Sequence, residues 1–350
     1  MSNQISYDAL LVVSFGGPEG MSEVMPFLEN VLRGKNVPRE RMLAVAHHYE
    51  LFDGISPINS QNRTLIAALE KELKESGLHL PIYWGNRNWH PMLTDTLRRM
   101  MDDGIKNVLA FFTSAYSSYS GCRQYREDIM RAQAEVGESA PRVEKLRAFY
   151  NHPGFIEPNV ENVRKALHQI PEERRNRAQI AFTAHSIPLS MAAGCDYEAQ
   201  LQETCRLIAE SVGHKSWRLV FQSRSGSPAQ PWLEPDICDH LTELKEARME
   251  DVVIAPVGFI SDHMEVLYDL DMEARALCEK IKLNMVRAST VGAHPTFIKM
   301  IHELILERSI PNYPRRFLGT HGVSHDVCPV DCCLDGRGAN SQRVNEARRL

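Results

Sequence analysis

Short apolar runs alternate with longer amphipathic stretches from one end of the chain to the other. Ala9–Ser14, Ile82–Gly85, Val108–Thr113, Ile180–Ala184, Trp217–Gln222, Val252–Phe259 and Leu283–Arg287 read as strands. Thr64–Ser76, Tyr197–Val212, Met264–Lys282 and Phe297–Arg308 read as helices, and the chain past Asp335 is polar. This alternation predicts an α/β fold with parallel sheets. The strands form two sets, one ending before residue 115 and one starting after residue 175. That predicts two doubly wound domains with a cleft between them. Ligands of open parallel sheets bind outside the carboxyl ends of the strands. Two runs reach ionisable groups at that point: Gln179–His185, followed by Ser-Ile-Pro, and Val252–Ile260, followed by Ser261-Asp262-His263-Met264-Glu265. His185 and the His263/Glu265 pair are expected to face one cleft, with proton transfer at His185 and a metal or charged substrate near Glu265.

Composition narrows the function classes. The 350 residues are 43% apolar and 24% charged, the make-up of an ordinary soluble globular protein. A net charge of −5 leaves no electrostatic footprint for nucleic acid. No run approaches the ~20 apolar residues needed to span a bilayer, and the amino-terminal stretch lacks signal-peptide character. A cytoplasmic location is expected. The eight cysteines are too sparse for a disulfide scaffold, yet three cluster as Cys328-Pro-Val-Asp-Cys332-Cys333. Zinc and iron–sulfur sites usually take four ligands, so a fourth must come from elsewhere, with Cys122, His321 and His325 as candidates. Incidental thiols in a tail are the remaining reading.

The other motifs each carry two readings. Ser14-Phe15-Gly16-Gly17-Pro18 suits a tight strand-to-helix turn, and it lacks the spacing of a dinucleotide site. Asp262 and Glu265 fit a D-x-x-E capping box. Glu265, Asp269 and Glu273 recur every four residues, either as a solvated acidic face or as a line conducting divalent cations. Thr113–Arg126, rich in tyrosine, serine and arginine, and Ser56–Arg63 are either polar loops or carboxylate-binding segments.

Taken together, the Ser-Phe-Gly-Gly-Pro turn, Ser56-Pro-Ile, Ser-Tyr-Ser-Gly-Cys122, Thr183-Ala-His-Ser-Ile-Pro, Gln222-Ser-Arg-Ser-Gly, Pro231-Trp-Leu-Glu-Pro and Ser261-Asp-His-Met-Glu resemble a ferrochelatase, an enzyme that inserts Fe²⁺ into a porphyrin. The resemblance covers nearly the whole chain. It implies two Rossmann-like chelatase domains, 1–140 and 141–294, with the terminal helix and tail at 295–350 completing the first. It implies His185 as base or early metal contact, Glu265 opposite it, His263 in support, and Asp269 and Glu273 on a metal or proton path. Phe15 would lie close to the macrocycle and Trp232 would line the pocket.

The bacterial members with extra carboxyl-terminal cysteines imply a [2Fe–2S] cluster on Cys122, Cys328, Cys332 and Cys333. Four propionates need more polar anchors than two. The hydroxyl-rich stretch with Tyr116, Tyr119 and Tyr125, together with Ser56 and the Asn59–Arg63 segment, therefore favours coproporphyrin III over protoporphyrin IX. The Arg39–Asn62 lip reads as mixed rather than apolar. Porphyrin and Fe²⁺ are the expected partners, with transient contact to neighbouring haem-pathway enzymes. A cobalt or nickel chelatase and a non-enzymatic haem carrier are the competing readings.

Overall fold

A computed structural model describes residues 6–34, 37–225 and 230–336. Gly226 of the Gln222–Gly226 motif and the polar stretch past Gly336 lie outside the described residues. The first sheet contains β1 (Ala9–Ser14), β2 (Ile82–Asn86), β3 (Asn107–Phe112) and β4 (Arg142–Lys145), in the order β2-β1-β3-β4. The second contains β5 (Gln179–His185), β6 (Trp217–Gln222), β7 (Asp251–Ala255) and β8 (Asn284–Arg287), in the equivalent order β6-β5-β7-β8. Every strand pair is parallel, Leu10 opposite Ile82 and Ala9 opposite Val108 in the first sheet, Ile180 opposite Trp217 and Val253 in the second.

The central strands are apolar at consecutive positions because both of their faces are covered. Leu10 and Val12 of β1, with Leu109 and Phe111 of β3, face an inner core. Ala9, Leu11 and Val13 face Leu93, Leu97 and Ile129 on the outer side. The second sheet divides the same way: Phe182 and Leu219 point inward, Ala181 and Val220 outward to Leu241 and Leu270. The inner core is continuous between the two sheets. It is filled by the helices Pro153–His168, Tyr197–Val212 and Pro295–Ser309. Full burial of each Leu or Phe there contributes about 1.5–3 kcal/mol, so the halves are fixed to one another by shared packing.

Three differences from the sequence reading have physical causes. β4 is an edge strand of sequence Arg-Val-Glu-Lys, half-exposed and without an apolar run, and it pairs with β3. It lies beyond the expected boundary at residue 140, so the first sheet extends to Lys145. β7 ends at Ala255, not Phe259, because Pro256 has no N–H and Val257 N–H turns back to the Ala255 carbonyl. Met264–Lys282 is not one regular helix: a π-helical stretch, Leu267–Ala274, separates two short α-helical pieces.

Arg147, just after β4, is buried and holds Glu307 of the Pro295–Ser309 helix through two hydrogen bonds of 2.7 and 2.8 Å. It also donates to the Arg316 carbonyl at 2.8 Å. Removing one member of a buried pair strands the other charge. Arg147→Met is expected to destabilise the protein by about 3–5 kcal/mol, and Arg147→Met/Glu307→Leu by less. Urea denaturation midpoints check this; a double variant as unstable as the single one would refute the stranded-charge explanation.

Candidate active site and cysteine centre

The cleft forms where the carboxyl ends of β1, β5 and β7 converge. After β1, Gly16 adopts φ +83°, and a Cβ there would sit 2.8 Å from the Asn86 Cβ. A Cβ on Gly17 would sit 2.6 Å from the Ser56 Cβ. The paired glycines thus let the turn close against Asn86 and Ser56, leaving Phe15 exposed between Phe27 and the Arg87 guanidinium. On the other side, Gly258 packs where a Cβ would fall 2.6 Å from the Ala184 Cα, and its N–H donates to the Thr183 carbonyl at 3.0 Å. This contact brings the segment following β7 against the last residues of β5. Gln61 fastens it from the first domain: Nε2 donates to the Asp262 carbonyl and Oε1 accepts from the Asp262 N–H, both at 2.9 Å.

His185, the last residue of β5, places Nε2 3.5 Å from Glu265 Oε1. Its Nδ1 faces the Ser186 carbonyl at 2.5 Å; a carbonyl only accepts, so Nδ1 carries a proton. The Tyr197 hydroxyl donates to the His185 carbonyl at 3.0 Å. His263 is the helix N-cap, its Nδ1 accepting from the Glu265 N–H at 3.2 Å, with Nε2 4.0 Å from Glu265 Oε2. The cap assigned to Asp262 therefore belongs to His263. Asp262 instead pairs with Arg287 at 2.9 Å.

The His185 and Glu265 side chains keep 30% and 45% of their surface open to the cleft, yet protein surrounds them. Burial alone would lower the His185 pKa. The Glu265 charge and hydrogen bond, the Ser186 carbonyl and Asp269 outweigh it and raise the pKa to about 9. Burial would raise Glu265, but the His185 charge and hydrogen bond, with His263, bring it down to about 2. The resting pair is an imidazolium and a carboxylate. His263 moves the other way, lowered chiefly by burial, and stays neutral.

The acidic line leads from this pair to the surface along the π-helical stretch, a local geometry frequent at functional sites. Glu265 and Asp269 are half-buried and Glu273 is exposed. Burial, reinforced by Glu265 and Glu273, raises Asp269 to about 7 against the opposing Ser223 hydroxyl bond. Gln222 Nε2 donates to the Glu265 carbonyl at 3.1 Å and approaches Asp269 at 3.4 Å. Burial and Asp236 raise Glu273. The helix Arg39–Glu50 covers the line: His48 stacks on Tyr268 at 3.7 Å, and Tyr49 lies within electrostatic reach of Glu265. The sequence reading did not single out Tyr49, Gln61, Ser223 or Tyr268. The helix bearing Tyr49 buries only Ala46 and has no periodic apolar face to reveal it.

The expected carboxylate anchors are placed differently. Tyr116 is buried, and its hydroxyl donates to the Val257 carbonyl at 2.9 Å. Tyr125 is buried against Phe112 under the Arg87 guanidinium. Tyr119 bonds Glu127 at 3.0 Å. Ser56 is buried against the Gly17 turn, and Asn59 donates to the Gly17 carbonyl. Trp232 is buried, its indole N–H meeting no acceptor among the described residues. Tyr116 and Tyr125 are thus buried in the core rather than open to the cleft. The Arg39–Asn62 lip is more apolar than its composition suggests: Leu43, Leu51 and Ile55 are exposed, with Met21 beside Gly54.

What the Ser118–Arg126 segment does hold is the tail. Arg123 donates to the Val330 and Cys332 carbonyls at 2.9 and 3.1 Å. This draws the tail cysteines to Cys122. Cys332 Sγ lies 3.3 Å from Cys333 Sγ and within 4.8 Å of Cys328 Sγ, and Cys122 is within electrostatic reach of Cys328. The neighbouring Cys122 and Cys332 sulfurs, with Lys145 and Arg126, hold the Cys328 thiol well below its ordinary value. Four sulfurs flanked by cations suit a thiolate-ligated, negatively charged iron–sulfur centre.

The family model described as Ferrochelatase matches residues 7–309, short of the tail cysteines. The chain is 59% identical over 335 residues to the ferrochelatase of Rhodopirellula baltica, covering 95% of both chains. It is 52% identical over 349 residues to the coproporphyrin III ferrochelatase of Streptomyces coelicolor, covering 93% of each. Among solved structures, the sirohydrochlorin chelatase SirB of Bacillus subtilis subspecies spizizenii in complex with cobalt superposes with a TM-score of 0.52. That match has 13% identity and covers 87% of this chain and 96% of SirB, a likeness of fold alone.

The pair's contribution to stability is fully present between pH 4.5 and 6.5, the ordinary values of the two groups. It is lost as pH rises through about 9, where His185 gives up its proton, or falls through about 2, where Glu265 gains one. NMR titration of His185 is expected to show a midpoint near 9 in the wild type. In Glu265→Gln it should drop below the ordinary 6.5, since burial then prevails. An unmoved midpoint would refute the pairing.

Proposed function

The chain belongs to the ferrochelatase family, and we propose that it inserts Fe²⁺ into coproporphyrin III to form coprohaem, with His185 as the base. The observation that carries the chemistry is the His185–Glu265 pair at the cleft, joined to the surface by Asp269 and Glu273, two carboxylates raised above their ordinary values by burial. The substrate assignment is supported by the relatives named coproporphyrin III ferrochelatase, 47–52% identical to this chain.

Insertion releases two pyrrole N–H protons as four nitrogens take the metal, so a neutral base must stand at the face of the ring. At rest His185 is already protonated and cannot serve. Fe²⁺ arriving at Glu265 cancels the carboxylate charge that holds this proton. Burial then dominates and drives the His185 pKa down. The proton leaves through Asp269, which titrates at about 7, toward exposed Glu273. His185 Nε2 is then free to accept a pyrrole proton, while Nδ1 stays bonded to Ser186 and fixes the ring. Metal arrival thereby arms the base, and the order prevents deprotonation without a metal to follow. Phe15, exposed at the cleft, supplies apolar surface for the flat macrocycle.

The sulfurs of Cys122, Cys328, Cys332 and Cys333 would hold a [2Fe–2S] cluster. When bound, it supplies metal–thiolate bonds fastening the tail to the segment after β3. The cytoplasm, a reducing compartment, suits the free thiols. Among the described residues no helix is long and apolar enough to cross a membrane.

One observation favours a second substrate, protoporphyrin IX: the exposed Met21, Leu43, Leu51 and Ile55 at the lip suit a less charged ring. Anaerobic Fe²⁺ insertion with both porphyrins decides between them. Faster turnover on coproporphyrin III is expected, with kcat falling about 10²–10⁴-fold in His185→Ala. Preference for protoporphyrin would move the assignment to the second reading. Undiminished kcat in the variant would remove His185 as the base.

A further inference from the structure

The cysteine centre contains one more donor than a four-ligand cluster uses. His325 Nε2 lies 3.9 Å from Cys332 Sγ, and the ligand atoms of His325, Cys328 and Cys332 all lie within 4.8 Å of one another. Cys122 lies within electrostatic reach of Cys328 and Cys333, and its neighbour Arg123 holds the Cys332 carbonyl at 3.1 Å. His321, the other histidine of this region, is turned away toward the Tyr150 ring. A tetrahedral zinc with Zn–S of about 2.3 Å and Zn–N of about 2.0–2.1 Å separates an imidazole nitrogen from a thiolate by about 3.6 Å. The observed 3.9 Å is close to that edge without any rearrangement.

We propose that this centre has a second occupant: in cluster-free protein, His325, Cys328, Cys332 and Cys122 hold a single Zn²⁺ ion. Cys333 is the sulfur left out. It is the buried neighbour of Cys332 at 3.3 Å, with its backbone fixed at φ +58°. The zinc set is also the accessible one: His325 is exposed and Cys328 and Cys332 are half-buried, which gives an incoming ion an entry path. Thiolates and imidazole without carboxylates select zinc over hard divalent ions. Each ligating thiol releases its proton to solvent, and no electron changes hands. The tail would then stay fastened to the first domain when iron or sulfide is scarce. The donor geometry suffices for zinc whether or not a cluster also forms.

The full chain, produced under iron limitation and stripped with EDTA under reducing anaerobic conditions, is titrated with Co²⁺ as a spectroscopic probe. Zn²⁺ is then titrated in competition with a chromophoric chelator. One equivalent of tetrahedral cobalt with thiolate charge-transfer absorption is expected. His325→Ala should weaken Zn²⁺ binding by at least about tenfold, and His325→Cys should restore it. Reconstitution of His325→Ala with Fe²⁺ and sulfide should still give the visible bands of the wild type. Octahedral cobalt, sub-stoichiometric binding, or wild-type zinc affinity in His325→Ala would overturn the proposal. Joint loss of zinc binding and of the visible bands would do the same, by marking His325 as a support of the local fold.

Discussion

The site depends on the close approach of two backbones, Gly258 after β7 against Ala184 in β5. A side chain at 258 would push the segments apart and take with it everything that follows: His263, Glu265 and the π-helical stretch. The parallel arrangement makes the approach possible, because β5 and β7 pair directly and end on the same side. Gln61 then ties the carboxyl end of this segment to the first domain, so the position of Glu265 is set from both halves of the molecule.

That placement brings unlike ionisable groups into one partly closed space, and each sets the state of the next. His185 and Glu265 stabilise one another's charges, while the same Glu265 charge raises Asp269. The two histidines beside Glu265 end in opposite states for a geometric reason. His185 donates through Nδ1 to a carbonyl and points Nε2 at the carboxylate, whereas His263 must accept at Nδ1 to cap the helix. A divalent cation at Glu265 changes all of these at once. On the proposed mechanism, metal arrival is coupled to proton release through charge alone, with no need for a large movement of the chain.

The tail is attached by a separate set of interactions. Arg147 and Glu307 secure the terminal helix, and Arg123 secures the cysteine loop through two of its carbonyls. Arginine in both places uses several donors on a planar group to fix backbone and carboxylate together. The segment after β3, which by composition suggests a ligand-binding loop, is a mooring for the other end of the chain.

The sequence by itself determined the α/β class, the two strand sets and most strand positions, and it singled out His185, Glu265, Asp269 and Glu273, which the fold brings to one line. Continuous apolar runs and punctuation by glycine and proline are local, and the strand ends in a parallel sheet are where chemistry is placed. The edge strand β4 left no such mark, since its Arg-Val-Glu-Lys pattern is that of a surface loop. Nor did the sequence separate Tyr116, a core tyrosine, from a cleft tyrosine, because a hydroxyl bonded to a distant backbone carbonyl looks the same as one free to bind a ligand. Only the tertiary structure decided that His263 and not Asp262 caps the helix, that Gln61 fastens Asp262 from the first half of the chain, and that Tyr49 comes within electrostatic reach of Glu265. These depend on contacts between residues far apart along the chain, whose distances are fixed by how the two sheets share one core.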